Sequence, residues 1–127
     1  MITLTTEQFD QLVSDAVDSF PDEFIKTMNS SNLSITTQDN PTEEQKKACN
    51  LGEKALLFGM HTGTALTKRS VFNMINWPCF VILFKAPIET MCTTEEEVKI
   101  FAKGVVLHEV GHFFGMTEEQ LTAIGKL

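Results

Sequence analysis

The sequence predicts a fold that contains both helices and strands. Residues 6–20 and 94–115 place their apolar side chains at helical spacing, and residues 79–85, CFVILFK, form a short apolar run typical of a buried strand. At 127 residues and 43% hydrophobic composition, the chain is large enough for one domain with a core. We therefore expect residues 1–127 to form a single domain.

The N-terminal part predicts two helices that meet at a bend. From Thr6 to Phe20 the apolar residues recur at helical spacing, with Thr6 as the expected N-cap. Pro21 stands where a second helix can begin, and the following PDEFIKTMN has one apolar side of its own.

The middle of the chain predicts short strands joined by polar segments. NLSITT, from Asn32 to Thr37, alternates Leu33 and Ile35 with polar residues and indicates a half-buried strand. TEEQKKACNLGEK predicts a loop or a short helix, and ALLFGM a possible strand. HTGTALTKRS indicates a polar connection with a turn at Gly63.

Two segments toward the C-terminus are predicted from apolar content and capping. CFVILFK is too apolar for a strand with one face in water, so it is either a central strand or one whose second face is covered. Thr94-x-x-Glu97 forms a capping box for a helix that runs to Gly115, its expected C-terminal cap. Thr117-x-x-Gln120 offers a second capping box for a short last helix.

Charge and composition exclude several kinds of partner. A net charge of −7 argues against nucleic acid and against anionic membrane surfaces, which both attract clustered Lys and Arg. The opening MITLTTEQFDQLVSD lacks a basic and then apolar leader, and no run approaches the roughly 20 apolar residues of a spanning helix, so we expect a cytoplasmic protein. The 3 cysteines, without a C-x-x-C pair, predict reduced thiols and not a disulfide or a cysteine zinc site.

The most informative stretch is HEVGHFFGMTEEQ, residues 108–120. On a helix, His108 and His112 differ by about 40° in azimuth and about 6 Å in rise, so they project from one face and can bind one zinc ion. Glu109 lies about 100° round the helix, where it can act as a general base without becoming a ligand. The alternative is a pair of ordinary surface histidines, which an isolated H-E-x-x-H always leaves open.

A catalytic zinc usually has three protein ligands, so a third must be found. Gly115 permits a left-handed turn out of the helix, and Glu118 arrives three residues later. Glu118 is therefore the natural candidate for the third ligand. Glu119 and Glu53 are the runners-up.

HEVGHFFGMTEEQLTAIGKL resembles the C-terminal signature of the small bacterial zincin-like metallopeptidases, or minimal zincins. ALTKRS, FVILFKAPIE and MITLTTEQFDQLVSDAVDSFPDEF resemble further blocks of that family in the same order. The resemblance implies a compact α+β zincin fold with a small mixed sheet packed against the active-site helix, a zinc-dependent peptidase activity and a peptide or protein substrate. It carries over His108, His112 and Glu109 directly, and its acidic position after the glycine falls on Glu118.

The resemblance also implies substrate contacts, each with a simpler alternative. In zincins a strand beside the active-site helix can pair with an extended substrate, which implies Phe80 to Lys85 as a peptide-binding edge. Composition alone favours a plain core strand there. Phe113 and Phe114 are expected in the core and not in specificity pockets, and Arg69 and Ser70 could equally position substrate or tie a loop.

The chain has no tyrosine, so the phenol that many metallopeptidases direct at the oxyanion is missing. His61 could serve if the fold brings it near the metal, although a lone histidine in a Gly-Thr-rich loop is more often solvated. The first hypothesis is a monomeric zinc metallopeptidase with Glu109 as general base. The alternative is a zincin-fold protein that keeps its zinc and binds a peptide or protein partner without turnover.

Overall fold

The computed structural model describes residues 1–52, 54–62, 79–115 and 119–120. Within these ranges the chain forms five helices and a three-stranded mixed sheet, which confirms the predicted α+β class. In chain order the elements are α1 (Thr6–Asp18), α2 (Asp22–Ser30), β1 (Leu33–Gln38), α3 (Glu43–Ala48), β2 (Gly59–Thr62), β3 (Cys79–Phe84), α4 (Lys85–Thr90) and α5 (Glu95–Phe113). No helix in the described ranges has the length and apolarity needed to cross a bilayer.

The sheet has the strand order β1-β3-β2, so the apolar strand predicted at residues 79–85 is the central one. It runs parallel to β1 and antiparallel to β2. Because β1 and β2 pair with β3 on its two sides from Phe80 to Leu83, neither edge of that strand is open to a substrate there. The expectation that Phe80 to Lys85 forms a peptide-binding edge is therefore wrong, and Lys85 already belongs to α4.

One face of the sheet forms the core with α5. Cys79, Val81 and Leu83 alternate along β3, are fully buried and belong to the same core cluster as the inner side of α5. Helix α1 packs against α5 as well, so α5 has protein on more than one side. On the opposite face of the sheet Phe80 stays 40% exposed.

The helix starts follow from capping residues, with one correction. The N-cap of α1 is Thr5 and not Thr6: the Thr5 side chain accepts from the Gln8 backbone N–H, and the Gln8 side chain accepts from the Thr5 N–H. Helix α2 begins directly after Pro21, as predicted. Between the two alternatives for residues 42–54, the structure shows a short helix, α3, with its own capping box from Thr42.

The segments around β2 and α4 differ from the prediction. Strand β2 contains only the last two residues of ALLFGM and continues through His61 and Thr62, which were assigned to the polar connection. Gly63 and the rest of that connection lie outside the described residues. Helix α4 was not predicted from the sequence, and its Pro87 lies in the first turn, where proline is tolerated in a helix.

A buried carboxylate ties the N-terminal segment to α4. Glu89 accepts from the Leu4 backbone N–H at 2.6 Å through Oε2, and Lys85 Nζ lies 3.3 Å from Oε1. The Ile2 N–H donates to the Glu89 backbone carbonyl at 3.3 Å. Both oxygens of this carboxylate are therefore engaged inside the protein.

The cysteines are free thiols, as predicted. Cys79 and Cys92 are buried, and Cys49 is partly buried at the end of α3.

Candidate active site

Helix α5 carries the H-E-x-x-H motif, and both of its ends follow from local sequence. The Thr94 hydroxyl accepts from the Glu97 backbone N–H at 3.1 Å, which is the first half of the predicted capping box. The Glu97 carboxylate turns instead to the Thr93 hydroxyl at 2.8 Å, and this hydrogen bond lowers the pKa of Glu97. At the other end Gly115 has φ of 70°, the left-handed conformation predicted for a glycine cap.

Residues four apart on α5 share a face, and three of the resulting stripes define the surroundings of the motif. The first stripe is buried in the core and contains Val98, Ala102, Val106 and Val110. The second is partly buried and contains Phe101, Val105 and Glu109. The third is exposed and contains Gly104, His108 and His112. The two histidines thus face water, and Glu109 stands beside them at the border with the protein.

The imidazoles of His108 and His112 converge on each other. Their Nε2 atoms are 2.8 Å apart, and the rings meet edge to face with centroids 4.3 Å apart. A hydrogen bond at this distance requires a proton on one of the two nitrogens. A zinc ion would take the place of that proton, because two ligands at 2.0–2.1 Å in a tetrahedral shell are about 3.3 Å apart. The donor atoms present therefore fit zinc or a similar divalent metal.

The third ligand predicted from the sequence, Glu118, is not among the residues that the structure describes. Glu118 and Glu53 both lie outside them, as do Arg69 and Ser70. Glu119 and Gln120 are helical, and Glu119 is exposed. In the described part of the chain, no group of three His, Cys, Asp or Glu side chains is arranged to hold a metal ion. The choice of Glu118 stays a prediction.

The carboxylate of Glu109 has a partner that sequence reasoning did not assign. His61 Nδ1 lies 2.8 Å from Glu109 Oε2, and both side chains are largely shielded, with 28% and 17% of their surfaces exposed. The expectation that His61 is merely solvated is therefore wrong. The two residues are 48 positions apart, and they meet because β2 pairs with β3 and also packs against α5.

A close packing contact brings β2 to α5. A Cβ atom on Gly59 would lie 2.5 Å from Val105 Cγ1 and 3.1 Å from the Ile82 carbonyl oxygen, so only glycine fits there without a shift. Gly59 and His61 share one face of the strand, spaced by about 6.6 Å, while Val105 and Glu109 are about 6 Å apart along the helix. Because these two spacings are nearly equal, Gly59 lies against Val105 and His61 lies against Glu109.

Glu109 also has an electrostatic neighbour in Cys49. Burial raises the pKa of the Cys49 thiol, and the negative charge of Glu109 raises it further. The end of α3 thus lies close enough to Glu109 for the charge of that carboxylate to affect the Cys49 thiol. Phe113 is fully buried and Phe114 packs against the core, which confirms their predicted structural role.

A helix that presents two convergent histidines, with a glutamate beside them and a small sheet behind, is typical of the H-E-x-x-H class of metallohydrolases. The sequence pattern of the zincin-like metallopeptidases matches residues 30–126. The chain belongs to this family, which confirms the resemblance and implies a divalent metal, typically zinc, and a peptide or protein substrate. No curated protein matches the chain.

Proposed function

We propose that this protein is a zinc-dependent metallopeptidase in which Glu109 is the general base. The observation that carries the proposal is the convergence of the His108 and His112 Nε2 atoms on the exposed stripe of α5, directly beside a held carboxylate. Family membership supports the same conclusion.

His108 and His112 would hold the metal through Nε2, and Glu118 would complete the protein ligands. Gly115 supports Glu118 because its left-handed conformation ends the helix three residues earlier and redirects the chain. When bound, zinc supplies a Lewis acid that polarises a carbonyl group and lowers the pKa of bound water toward about 7.

Glu109 performs the proton transfers. Its carboxylate accepts a proton from the attacking water as the water oxygen bonds to the carbonyl carbon of the scissile peptide. It then donates that proton to the amide nitrogen as the carbon–nitrogen bond breaks, which releases a carboxylic acid and an amine. Partial burial suits this task, because the carboxylate remains within reach of water but is screened from bulk solvent.

The substrate strand would pair with β2 and not with β3. Strand β2 uses one side to pair with β3, and among the described residues no strand pairs with its other side. It also contacts α5 directly, so a peptide added at this edge would run beside the active-site helix. This proposal replaces the edge that the sequence suggested on Phe80 to Lys85.

The test of the general base is Glu109→Gln. The variant should retain stoichiometric zinc, because the histidine ligands are unchanged, and lose roughly 10²-fold to 10⁴-fold in kcat on peptides selected from a cleavage library. Glu96→Gln is the matched control, since it makes the same change at an exposed position near the start of α5. If Glu109→Gln cleaved as fast as the parent, the assignment of the base would be wrong.

The test of the third ligand compares Glu118→Ala with Glu119→Ala. Loss of a direct ligand should weaken zinc binding strongly, whereas its neighbour should leave the affinity within about threefold of the parent, as expected for a surface residue without a role at the site. Competition with a zinc-sensitive dye measures both. Equal zinc affinities of the two variants, or a weaker affinity in Glu119→Ala, would show that Glu118 is not the third ligand.

The absence of tyrosine favours one alternative function, a zinc-loaded protein that binds a peptide or a partner protein without cleaving it. The two functions agree on metal content and differ in turnover. Stoichiometric zinc together with zinc-dependent peptide binding, but no cleaved product from the library, would establish the alternative. A preparation without stoichiometric zinc after purification free of chelators would contradict both.

A further inference from the structure

We propose that His61 is a positioning residue that holds the general base, Glu109, in its working orientation. This inference rests on the proposed peptidase function, and it assigns a role to a side chain outside the H-E-x-x-H motif. The contact joins His61 Nδ1 to Glu109 Oε2 at 2.8 Å.

The direction of this hydrogen bond follows from the chemistry of its two partners. An ionised carboxylate only accepts, so His61 Nδ1 must carry the proton and donate it. Nδ1 is protonated both in one neutral tautomer and in the imidazolium form. The contact therefore does not require His61 to change its charge.

The position of the imidazole is set by the sheet. His61 pairs with Val81 of the central strand, and the missing side chain of Gly59 lets β2 approach Val105 closely. A donor on a paired strand loses little entropy when it binds, so it can define the place of the carboxylate more sharply than a loop residue could.

The two oxygens of the Glu109 carboxylate therefore have different roles. Oε2 accepts from His61, and within the described ranges Oε1 has no hydrogen-bond partner. Fixing Oε2 removes the free rotation of the carboxylate about its last side-chain torsion. Oε1 is then the oxygen that takes the proton of the attacking water.

The test compares His61→Ala, His61→Asn and His61→Gln in the zinc-loaded protein. Asn places an amide N–H near the position of Nδ1, whereas Gln places its amide near Nε2 and serves as the matched control. We expect His61→Ala and His61→Gln to lose on the order of 10-fold to 100-fold in kcat with KM within about twofold, and His61→Asn to recover most of the loss. Zinc content should be the same in all four proteins.

Several outcomes would overturn the positioning role. A kcat unaffected by His61→Ala would do so, and so would a His61→Asn variant as slow as His61→Ala. A loss confined to KM or to zinc content would assign His61 to substrate or metal binding instead. If the parent itself did not cleave peptides, the proposed function would fail first and the positioning role would fail with it.

A second measurement tests the hydrogen bond without turnover. Nitrogen-15 NMR of the zinc-loaded protein should show His61 protonated at Nδ1, with a proton that exchanges slowly with water. Glu109→Ala should speed that exchange and shift the resonance. An unprotonated Nδ1, or a resonance that Glu109→Ala leaves unchanged, would show that the contact does not form in solution and would overturn the inference regardless of activity.

Discussion

The side chains of Glu89 and Glu109 differ in their burial and in their hydrogen bonds to the described residues. Glu89 has 8% of its side chain exposed, and both of its oxygens are engaged by Leu4 and Lys85. Glu109 has 17% of its side chain exposed, and within the described ranges one of its oxygens is engaged, by His61. The carboxylate of Glu89 is held at both oxygens, whereas that of Glu109 is held at one oxygen by a described residue and is more exposed.

The difference shows how burial and hydrogen bonding separate a structural acid from the acid that we propose as the general base. A buried charge must be paired and hydrogen-bonded, and once both oxygens are engaged it has little capacity left for proton transfer. A carboxylate that is held at one oxygen keeps its orientation and still has a free acceptor. The pairing seen at Glu109 is thus suited to catalysis, and the pairing seen at Glu89 to holding the N-terminal segment on α4.

The largest expected effect is on stability, from removing Glu89. Glu89→Ala leaves Lys85 as an uncompensated buried charge and the Leu4 N–H without its acceptor, so we expect a loss of about 3–5 kcal/mol in the free energy of unfolding. Glu109→Ala removes a single partly exposed hydrogen bond and should change that free energy by about 1 kcal/mol or less. Urea unfolding measures both variants.

The contrast between the two carboxylates would break down if these variants were equally destabilised. It would also break down if Glu109→Ala were the worse of the two, because Glu109 would then be as structural as Glu89.

A smaller effect is expected from a substitution in β2, the strand that carries His61, the partner of Glu109. Gly59→Ala should cost about 1–3 kcal/mol, because the new Cβ would clash with Val105 and the Ile82 carbonyl and push β2 away from α5. The same variant should also slow peptide cleavage by separating His61 from Glu109. Thermal unfolding and the cleavage assay measure the two effects.

Gly104→Ala is the matched control for that substitution. A Cβ atom on Gly104 meets nothing within 4 Å, and alanine favours a helix interior over glycine by about 0.5–1 kcal/mol, so this variant should be the more stable one. A destabilised Gly104→Ala, or a Gly59→Ala variant as stable as the parent, would contradict the packing described for the two faces of α5.

The helical half of the site could be predicted from sequence because its determinants are local. Thr94 and Gly115 set the ends of α5, and the spacing of four residues places His108 and His112 on one face wherever the helix forms. The predicted start of α1 differed by one residue, because Thr5 and Thr6 are both good N-caps and only Thr5 has glutamine at the position that completes a capping box.

The other half of the site depends on strand pairing, which local patterns do not determine. The apolar run of β3 predicted either a central strand or a covered one, but it did not identify β1 and β2 as the neighbours. Without that choice, the peptide-binding edge that the resemblance implied on Phe80 to Lys85 could not be excluded, and His61 was expected in water. A glycine two residues before a histidine in a strand was the available signal, since it permits close approach to a helix.

The three stripes of α5 also limit how its length can change in evolution. Inserting or deleting one residue between Val98 and Gly104 would rotate everything after it by about 100° relative to the start of the helix. Such a change would carry the two histidines off the exposed stripe and displace Glu109 from His61, while every residue type of the motif remained in place. Homologues of this protein should therefore vary in length in their loops and keep the spacing between the buried stripe of α5 and its H-E-x-x-H motif constant.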